Sequence, residues 1–174
     1  MRRFLGLQRK RRGEKGMNDE FSLINLQNQV LKERAMNEVR ACNDISEQFG
    51  LSLTEDEIKE LVECRANALK NTGRVEFEGG ILPKLIYAFC DSPYVDKDNY
   101  ESTLAQLQDA FYYFKGESLE QFTDDELIGF MVNVFNGRAQ GSIEYLVETS
   151  LDALCRYAKG DFDAQDMDEA GDLF

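Results

Sequence analysis

The sequence predicts an all-α protein, an irregular bundle of about six helices with a short extended connector near residues 74–78. Apolar residues recur every three to four positions from residue 20 onward, polar capping residues precede these runs, and glycines follow them. The loops vary in length and the helices differ in size. These differences favour an irregular bundle over a regular coiled-coil bundle.

The N-terminal half of the chain carries the first helix signals. Residues 20–49 have loosely helical spacing, as one helix or two, and end at Gly50. Thr54 and Glu57 then form a capping box, in which each side chain satisfies an orphan backbone donor of the first turn. Gly73 marks the end of that helix, because glycine tolerates the left-handed backbone found after a helix.

The sequence RVEF, residues 74–77, alternates like a strand, but no second convincing strand accompanies it. A lone strand leaves backbone groups unpaired, so we interpret these residues as an extended connector. In this connector Val75 and Phe77 are predicted to point into the core. The next helix is short and apolar, with Pro83 in its first turn, where the missing N–H costs nothing. Its predicted core positions are Leu82, Leu85, Ile86 and Phe89.

Three further helices are predicted in the C-terminal half of the chain. They cover residues 98–115, the stretch from Thr123 to a stop at Gly137, and residues 142–158. The second of them repeats the capping box, here formed by Thr123 and Glu126. Helices with such paired start and stop signals support the all-α prediction.

Charge divides the chain into three predicted regions. The formal net charge is −13, with +6 in residues 1–16, −13 in residues 17–159 and −6 in residues 160–174. We interpret the first region as a basic arm that is disordered or that results from a misassigned start codon. The second region is a single helical domain, and the third is an acidic, disordered tail.

Composition excludes several classes of function. Histidine is absent, which excludes Ser-His and Cys-His nucleophiles and HExxH zinc sites. No apolar run approaches the roughly 18 residues of a membrane span, and the cysteines are scattered without a CxxC pair, as in a reduced cytoplasmic protein. The acidic domain repels nucleic acid, so the basic arm is the only part of the chain that is suited to contact it. We predict no membrane association, no cofactor, no metal site and no catalytic residue.

The segment EFEGGILPK, residues 76–84, contains an adjacent glycine pair before a helix. Glu76 and Glu78 would repel a phosphate, and neither a Walker nor a GxGxxG motif is matched. We interpret the segment first as a joint, in which Gly79 and Gly80 let the backbone bend sharply. The alternative is a face that grips a cationic ligand or a partner's basic surface. Its candidate residues are Arg74, Glu76, Glu78, Lys84, Tyr87, Asp91 and Tyr94.

The aromatic run FYYF, residues 111–114, covers more than one face of its helix. Phe111 and Phe114 are predicted to lie in the core. Our first interpretation of Tyr112 and Tyr113 is that they pack in the core or are half-buried. The alternative is that Tyr112 and Tyr113 form an interaction surface, since their rings add contact area while their hydroxyls stay hydrated.

The stretch NALKNTGRVEFEGGILPKLIYAFCDSPYV, residues 67–95, with LTEDEIKEL before it, resembles a family of small uncharacterised proteins from Gram-positive, largely anaerobic bacteria. The resemblance extends from about Met17 to about Lys159 and leaves out the basic arm. It implies a bacterial cytosolic setting but no activity and no catalytic residues. The similar proteins carry glycine where this chain has Glu78, so the resemblance implies no ligand role for this residue.

These observations lead to three hypotheses about function. The first is a non-enzymatic cytosolic helical protein that acts by binding an unknown protein partner, in an oligomeric state that the sequence does not predict. The second is a carboxylate-based enzyme or small-ligand binder centred on residues 74–94. The third is an acidic mimic of nucleic acid that occupies a basic protein.

Overall fold

The computed structural model describes residues 13–161, with side chains described from residue 25 onward. Throughout this range the regular secondary structure is helical, without a strand, which confirms the all-α prediction. The chain divides into two units, residues 1–33 and residues 34–174. Residues 1–12 of the predicted basic arm and residues 162–174 of the predicted acidic tail lie outside the described residues.

Helix α1 (Gly13–Ser46) accounts for all described residues of the first unit and for the start of the second. A 3-10 turn (Glu47–Phe49) follows it and ends at Gly50, which has a left-handed backbone. The segment that the sequence left open as one helix or two is therefore one helix and a short turn.

The remaining helices of the second unit follow in the predicted order. They are α2 (Glu55–Thr72), α3 (Ile81–Phe89), α4 (Tyr100–Glu117), α5 (Asp124–Asn136), α6 (Ile143–Tyr145) and α7 (Asp152–Lys159). A π-helical segment (Leu146–Leu151) joins α6 to α7 without a break. The last three elements together form the helix that the sequence predicts over residues 142–158.

The structure confirms the two predicted capping boxes at helix N-termini. Thr54 Oγ1 accepts from the backbone N–H of Glu57 at 3.3 Å, and Thr123 Oγ1 accepts from that of Glu126 at 3.2 Å. In both cases the glutamate side chain returns to the threonine N–H, which completes the capping box. Gly73 ends α2 in the left-handed conformation, with a φ of 69°.

The core of the second unit is centred on α3, which packs against α4 and α5. Its predicted core residues, Leu82, Leu85, Ile86 and Phe89, are all fully buried. Phe89 contacts Phe135 of α5 edge to face, with ring centroids 5.4 Å apart. Helix α2 lies along α4, where the Gln108 side-chain amide donates to the Leu61 carbonyl at 3.4 Å.

In the connector between α2 and α3, the side chains that were predicted to be buried are exposed, and the reverse holds for Glu76. Val75 and Phe77 are exposed by 78% and 81%, whereas the Glu76 side chain is exposed by only 6%. The alternation is that of an extended chain, as predicted, but the apolar face points outward. The prediction that Val75 and Phe77 enter the core is therefore wrong, because the partners of the Glu76 carboxylate lie on the inner side.

Candidate functional site

The Glu76 carboxylate is buried among donors from three helices and the connector itself. Its Oε2 accepts from Arg65 Nε of α2 at 3.0 Å and from the Tyr112 hydroxyl of α4 at 2.8 Å. The same oxygen lies 3.4 Å from the Ile81 N–H at the start of α3, and Oε1 accepts from Arg74 Nε at 3.0 Å. Ionic and neutral donors together compensate the desolvation of this carboxylate.

Helix geometry brings Arg65 and Tyr112 to the carboxylate. Arg65 lies in the same register of α2 as the buried Ile58 and Leu61, so its side chain is directed inward and is 7% exposed. Tyr112 is buried on the facing side of α4. Burial raises the pKa of the Tyr112 hydroxyl, and the adjacent Glu76 carboxylate raises it further, so the tyrosine stays a neutral hydrogen-bond donor.

Arg74 extends this arrangement toward the start of α5. Its Nη2 contacts Asp124 Oδ2 at 2.6 Å and Oδ1 at 2.8 Å, and its Nη1 lies 3.3 Å from Glu120 Oε2. The guanidinium carbon lies 5.9 Å from the centre of the Phe111 ring. Burial lowers the pKa of Arg74, but Glu76 and Asp124 outweigh this effect and raise it.

Lys115 completes the network from α4. Its side chain is 5% exposed, donates to the Phe122 carbonyl, and lies 3.2 Å from Asp124 Oδ1 and 3.4 Å from Glu120 Oε2. We call the whole group the ionic cluster. Its members are Arg65, Arg74, Glu76, Tyr112, Lys115, Glu120 and Asp124. The cluster pairs its basic side chains with an equal number of carboxylates, so it is formally neutral.

Gly80 is required beside the cluster. A Cβ at this position would lie 2.0 Å from Glu76 Oε2 and 2.5 Å from Arg65 Nη2, and the φ of 61° also disfavours other residues. Arg65 Nη2 is buried and has no hydrogen-bond partner within the described part of the chain. The positive φ of Gly80 provides the predicted sharp bend, and the missing side chain lets the backbone approach the Arg65–Glu76 ion pair closely.

Glu78 belongs to a second arrangement, outside the ionic cluster. It has a left-handed backbone, with a φ of 55°, and an exposed side chain. Glu38 of α1 accepts from the Gly79 N–H at 2.7 Å. A hydrogen bond with Glu38, followed by the charge of Glu38, raises the pKa of Glu78. We call Glu38 and Glu78 the acid pair.

The structure disperses the other residues of the predicted 74–94 site. Lys84 pairs with Asp125 at 2.6 Å on the surface, and Asp91 is exposed. Tyr94 packs edge to face on Phe135, with centroids 6.3 Å apart. Tyr87 is exposed near Cys42, which raises the pKa of the tyrosine through a side-chain hydrogen bond. Of the predicted set, only Arg74 and Glu76 contact each other in the ionic cluster.

The two candidate tyrosines of α4 separate as well. Tyr113 is 60% exposed and remains available for an interaction surface, which is still a prediction. Tyr112 is buried, so assigning it to an interaction surface was wrong. The physical reason is the Glu76 carboxylate, which gives the Tyr112 hydroxyl a partner inside the protein.

Sequence reasoning missed the partners of Glu76 and Arg74. One signal was available for Arg65, which interrupts the apolar register of α2 at a position seven residues after Ile58. Lys115 similarly follows the buried Phe111 by one turn of α4. Nothing in the local pattern identifies Asp124 as a partner of Arg74, because fifty residues separate them in the chain.

The described residues also limit other kinds of site. Within residues 25–161, no group of three or more cysteine, aspartate or glutamate side chains is arranged to hold a metal ion. None of the helices within residues 13–161 combines the length and the apolar character that a membrane span requires. All four cysteines are free thiols.

These features define a small all-α protein whose buried ionic cluster supports an outward-facing apolar connector. A family model described as "Family of unknown function (DUF6323)" matches residues 38–164, and the chain belongs to that family. This result confirms the resemblance to an uncharacterised family. No curated protein and no solved structure matches the chain. The matched residues include the acid pair, the connector and the entire ionic cluster.

Proposed function

We propose that this chain is a non-enzymatic binding protein that contacts a protein partner through Val75 and Phe77 of the connector. The observation that carries the proposal is their exposure of 78% and 81% on one face of the same short segment. Neighbouring exposed apolar side chains form a typical contact for a partner protein. A bacterial cytoplasm is the proposed setting, and it would keep the four free cysteines reduced.

The ionic cluster supports this proposal because it fixes the segment that carries the two side chains. Glu76 lies between Val75 and Phe77 and is bound to α2, α3 and α4, while Arg74 binds Asp124 of α5. An apolar contact surface that is already ordered loses less conformational entropy on binding. The connector is therefore suited to present Val75 and Phe77 in one orientation.

The geometry is less favourable to the alternative of a carboxylate-based enzyme or ligand binder. Both oxygens of Glu76 already accept hydrogen bonds from protein groups. A general base needs a free lone pair within reach of a substrate proton. Glu76 is therefore better suited to hold the connector than to carry out proton transfer.

The proposal is tested by capturing the partner from the bacterial host with the tagged full chain and a short cross-linking step. The double variant Val75→Ser/Phe77→Ser is compared with Phe49→Ser, which changes an exposed phenylalanine at a different place on the surface. Circular dichroism and Tm confirm that both variants fold.

We expect one stoichiometric protein that the wild-type chain and Phe49→Ser retain and that the double variant loses. The proposal is wrong if every captured protein binds all three chains equally, or if no protein is captured.

A further inference from the structure

The backbone of the connector offers unpaired hydrogen-bonding groups beside its apolar side chains. In the described part of the chain, Val75 and Glu76 make no backbone hydrogen bond, and Phe77 uses only its carbonyl, which accepts from the Gly80 N–H at 3.0 Å. An extended segment with unpaired N–H and C=O groups is a template for another strand. Such an edge binds an extended peptide through the main chain.

The acid pair lies at the C-terminal end of this edge and gives that end a negative charge. Glu78 directly follows Phe77, and the Glu38 carboxylate accepts from the N–H of the next residue, Gly79, at 2.7 Å, which places it beside Glu78. Within residues 25–161 no ion pair joins a basic side chain to either carboxylate, although the charge of Arg34 reaches Glu78 and lowers its pKa slightly. Two adjacent carboxylates that no basic side chain contacts directly attract a cation.

The backbone at Glu78 also has an unusual conformation. A glutamate rarely adopts the left-handed conformation, and this one does so with a φ of 55°. Glycine would adopt that conformation without the steric cost. The strained residue here places a carboxylate beside the free edge.

We propose that the connector receives an extended segment of the partner as an added strand, and that this segment carries a lysine or arginine opposite Glu38 and Glu78. The inference rests on the proposed function and specifies the chemistry of the partner. Alternate apolar residues of the segment pack on Val75 and Phe77, its main chain pairs with the free groups of residues 75–77, and its basic side chain neutralises the acid pair.

The first experiment selects displayed peptides of about twelve residues on the immobilised full chain, without prior choice of sequence. We expect the enriched peptides to alternate apolar residues and to contain lysine or arginine near one end. Their Kd is measured by fluorescence polarisation at low salt and at physiological salt, and binding should weaken at the higher salt because the acid pair contributes.

Four comparisons decide between the parts of the proposal. Val75→Ser/Phe77→Ser should weaken binding by about tenfold or more, and Glu38→Gln/Glu78→Gln by roughly three- to tenfold. The control Glu144→Gln/Glu148→Gln removes the same charge elsewhere and should change little. Methylation of alternate backbone amides of the peptide should abolish binding while leaving every side chain in place.

The inference fails if no enriched peptide depends on Val75 and Phe77. It also fails if the bound peptides tolerate backbone methylation or the glutamine variants. If the host partner is nevertheless lost from Val75→Ser/Phe77→Ser, the proposed function stands and only the strand mode is wrong. Tight binding of a synthetic peptide with the sequence of residues 1–16 would assign the edge to this chain itself and contradict a separate partner.

Discussion

At the scale of single residues, Glu76 determines which face of the connector is buried. Its carboxylate replaces water with Arg65, Arg74 and Tyr112. Burial of a carboxylate is tolerable only with such partners, whereas leaving Val75 and Phe77 in water forgoes about 1.5–3 kcal/mol of hydrophobic stabilisation for each side chain. The ionic contacts therefore override the ordinary preference for burying valine and phenylalanine.

Replacement of Glu76 tests this account. Glu76→Ala leaves Arg65 and Arg74 near an empty site, and we expect the free energy of unfolding to fall by about 3–4 kcal/mol, as for a broken buried ion pair. Glu120→Gln, at the exposed edge of the same cluster, should cost no more than about 1 kcal/mol. Urea unfolding followed by circular dichroism measures both changes, and equal losses would contradict the dominant role of Glu76.

Glu78 predicts a pH dependence of stability with a definite sign. The hydrogen bond and charge of Glu38 raise its pKa above the ordinary value of 4.5, so the folded protein holds this proton more tightly than the unfolded chain. The resulting stabilisation is complete below pH 4.5 and is lost as the pH rises through the raised pKa.

The variant Glu78→Gln keeps the left-handed backbone but removes the ionisable group. Its Tm should exceed that of the wild type at about pH 7, and the difference should shrink at about pH 4. Thermal unfolding across this pH range tests the sign. A difference that is constant with pH would show that Glu78 does not titrate differently in the folded protein.

At the scale of elements, the capping boxes fix where α2 and α5 begin. Each capping box provides acceptors for two backbone N–H groups, that of the threonine and that of the glutamate. Helix α5 also begins with Asp124, which binds Arg74. The start of α5 therefore contributes both to helix stability and to the position of the ionic cluster.

Removal of the caps gives a graded prediction. Thr54→Ala and Thr123→Ala should each lower the free energy of unfolding by about 1 kcal/mol, because each removes a helix cap. Thr72→Ala, in the last turn of α2, loses only a hydrogen bond to the Ala68 carbonyl and should cost less than about 0.5 kcal/mol. The three variants are compared by urea unfolding, and an equally large loss from Thr72→Ala would refute the cap assignment.

The elements differ in how well the sequence predicts them. The core face of α3 is predicted correctly because Leu82, Leu85 and Phe89 follow a helical period that has only one apolar stripe. The connector has a period of two, which separates its side chains into two faces but does not say which face is buried. That choice depends on Arg65 and Tyr112, which reach Glu76 only after α2 and α4 pack together.

At the scale of the whole molecule, acidic charge is in large excess. Residues 34–161 contain 24 aspartates and glutamates against 12 lysines and arginines, a net charge of −12. The ionic cluster is neutral, so the excess lies elsewhere on this part of the chain. Repulsion among these charges opposes the compact state and is reduced by salt.

We therefore expect Tm to rise by a few degrees when NaCl is increased from about 20 mM to about 150 mM at neutral pH. Differential scanning fluorimetry measures the shift, and KCl should give the same result if screening is the cause. A fall in Tm would mean that surface ion pairs such as Lys84–Asp125 outweigh the general repulsion.

The alternating connector also restricts how this chain can change in length. A single amino acid inserted between Arg74 and Glu76 would turn the buried side chains that follow it toward solvent and the exposed ones toward the interior. The buried arginine would then meet a hydrocarbon group, and the carboxylate would be left in solvent. Deletions and duplications in this segment should therefore survive only when they change its length by an even number of residues.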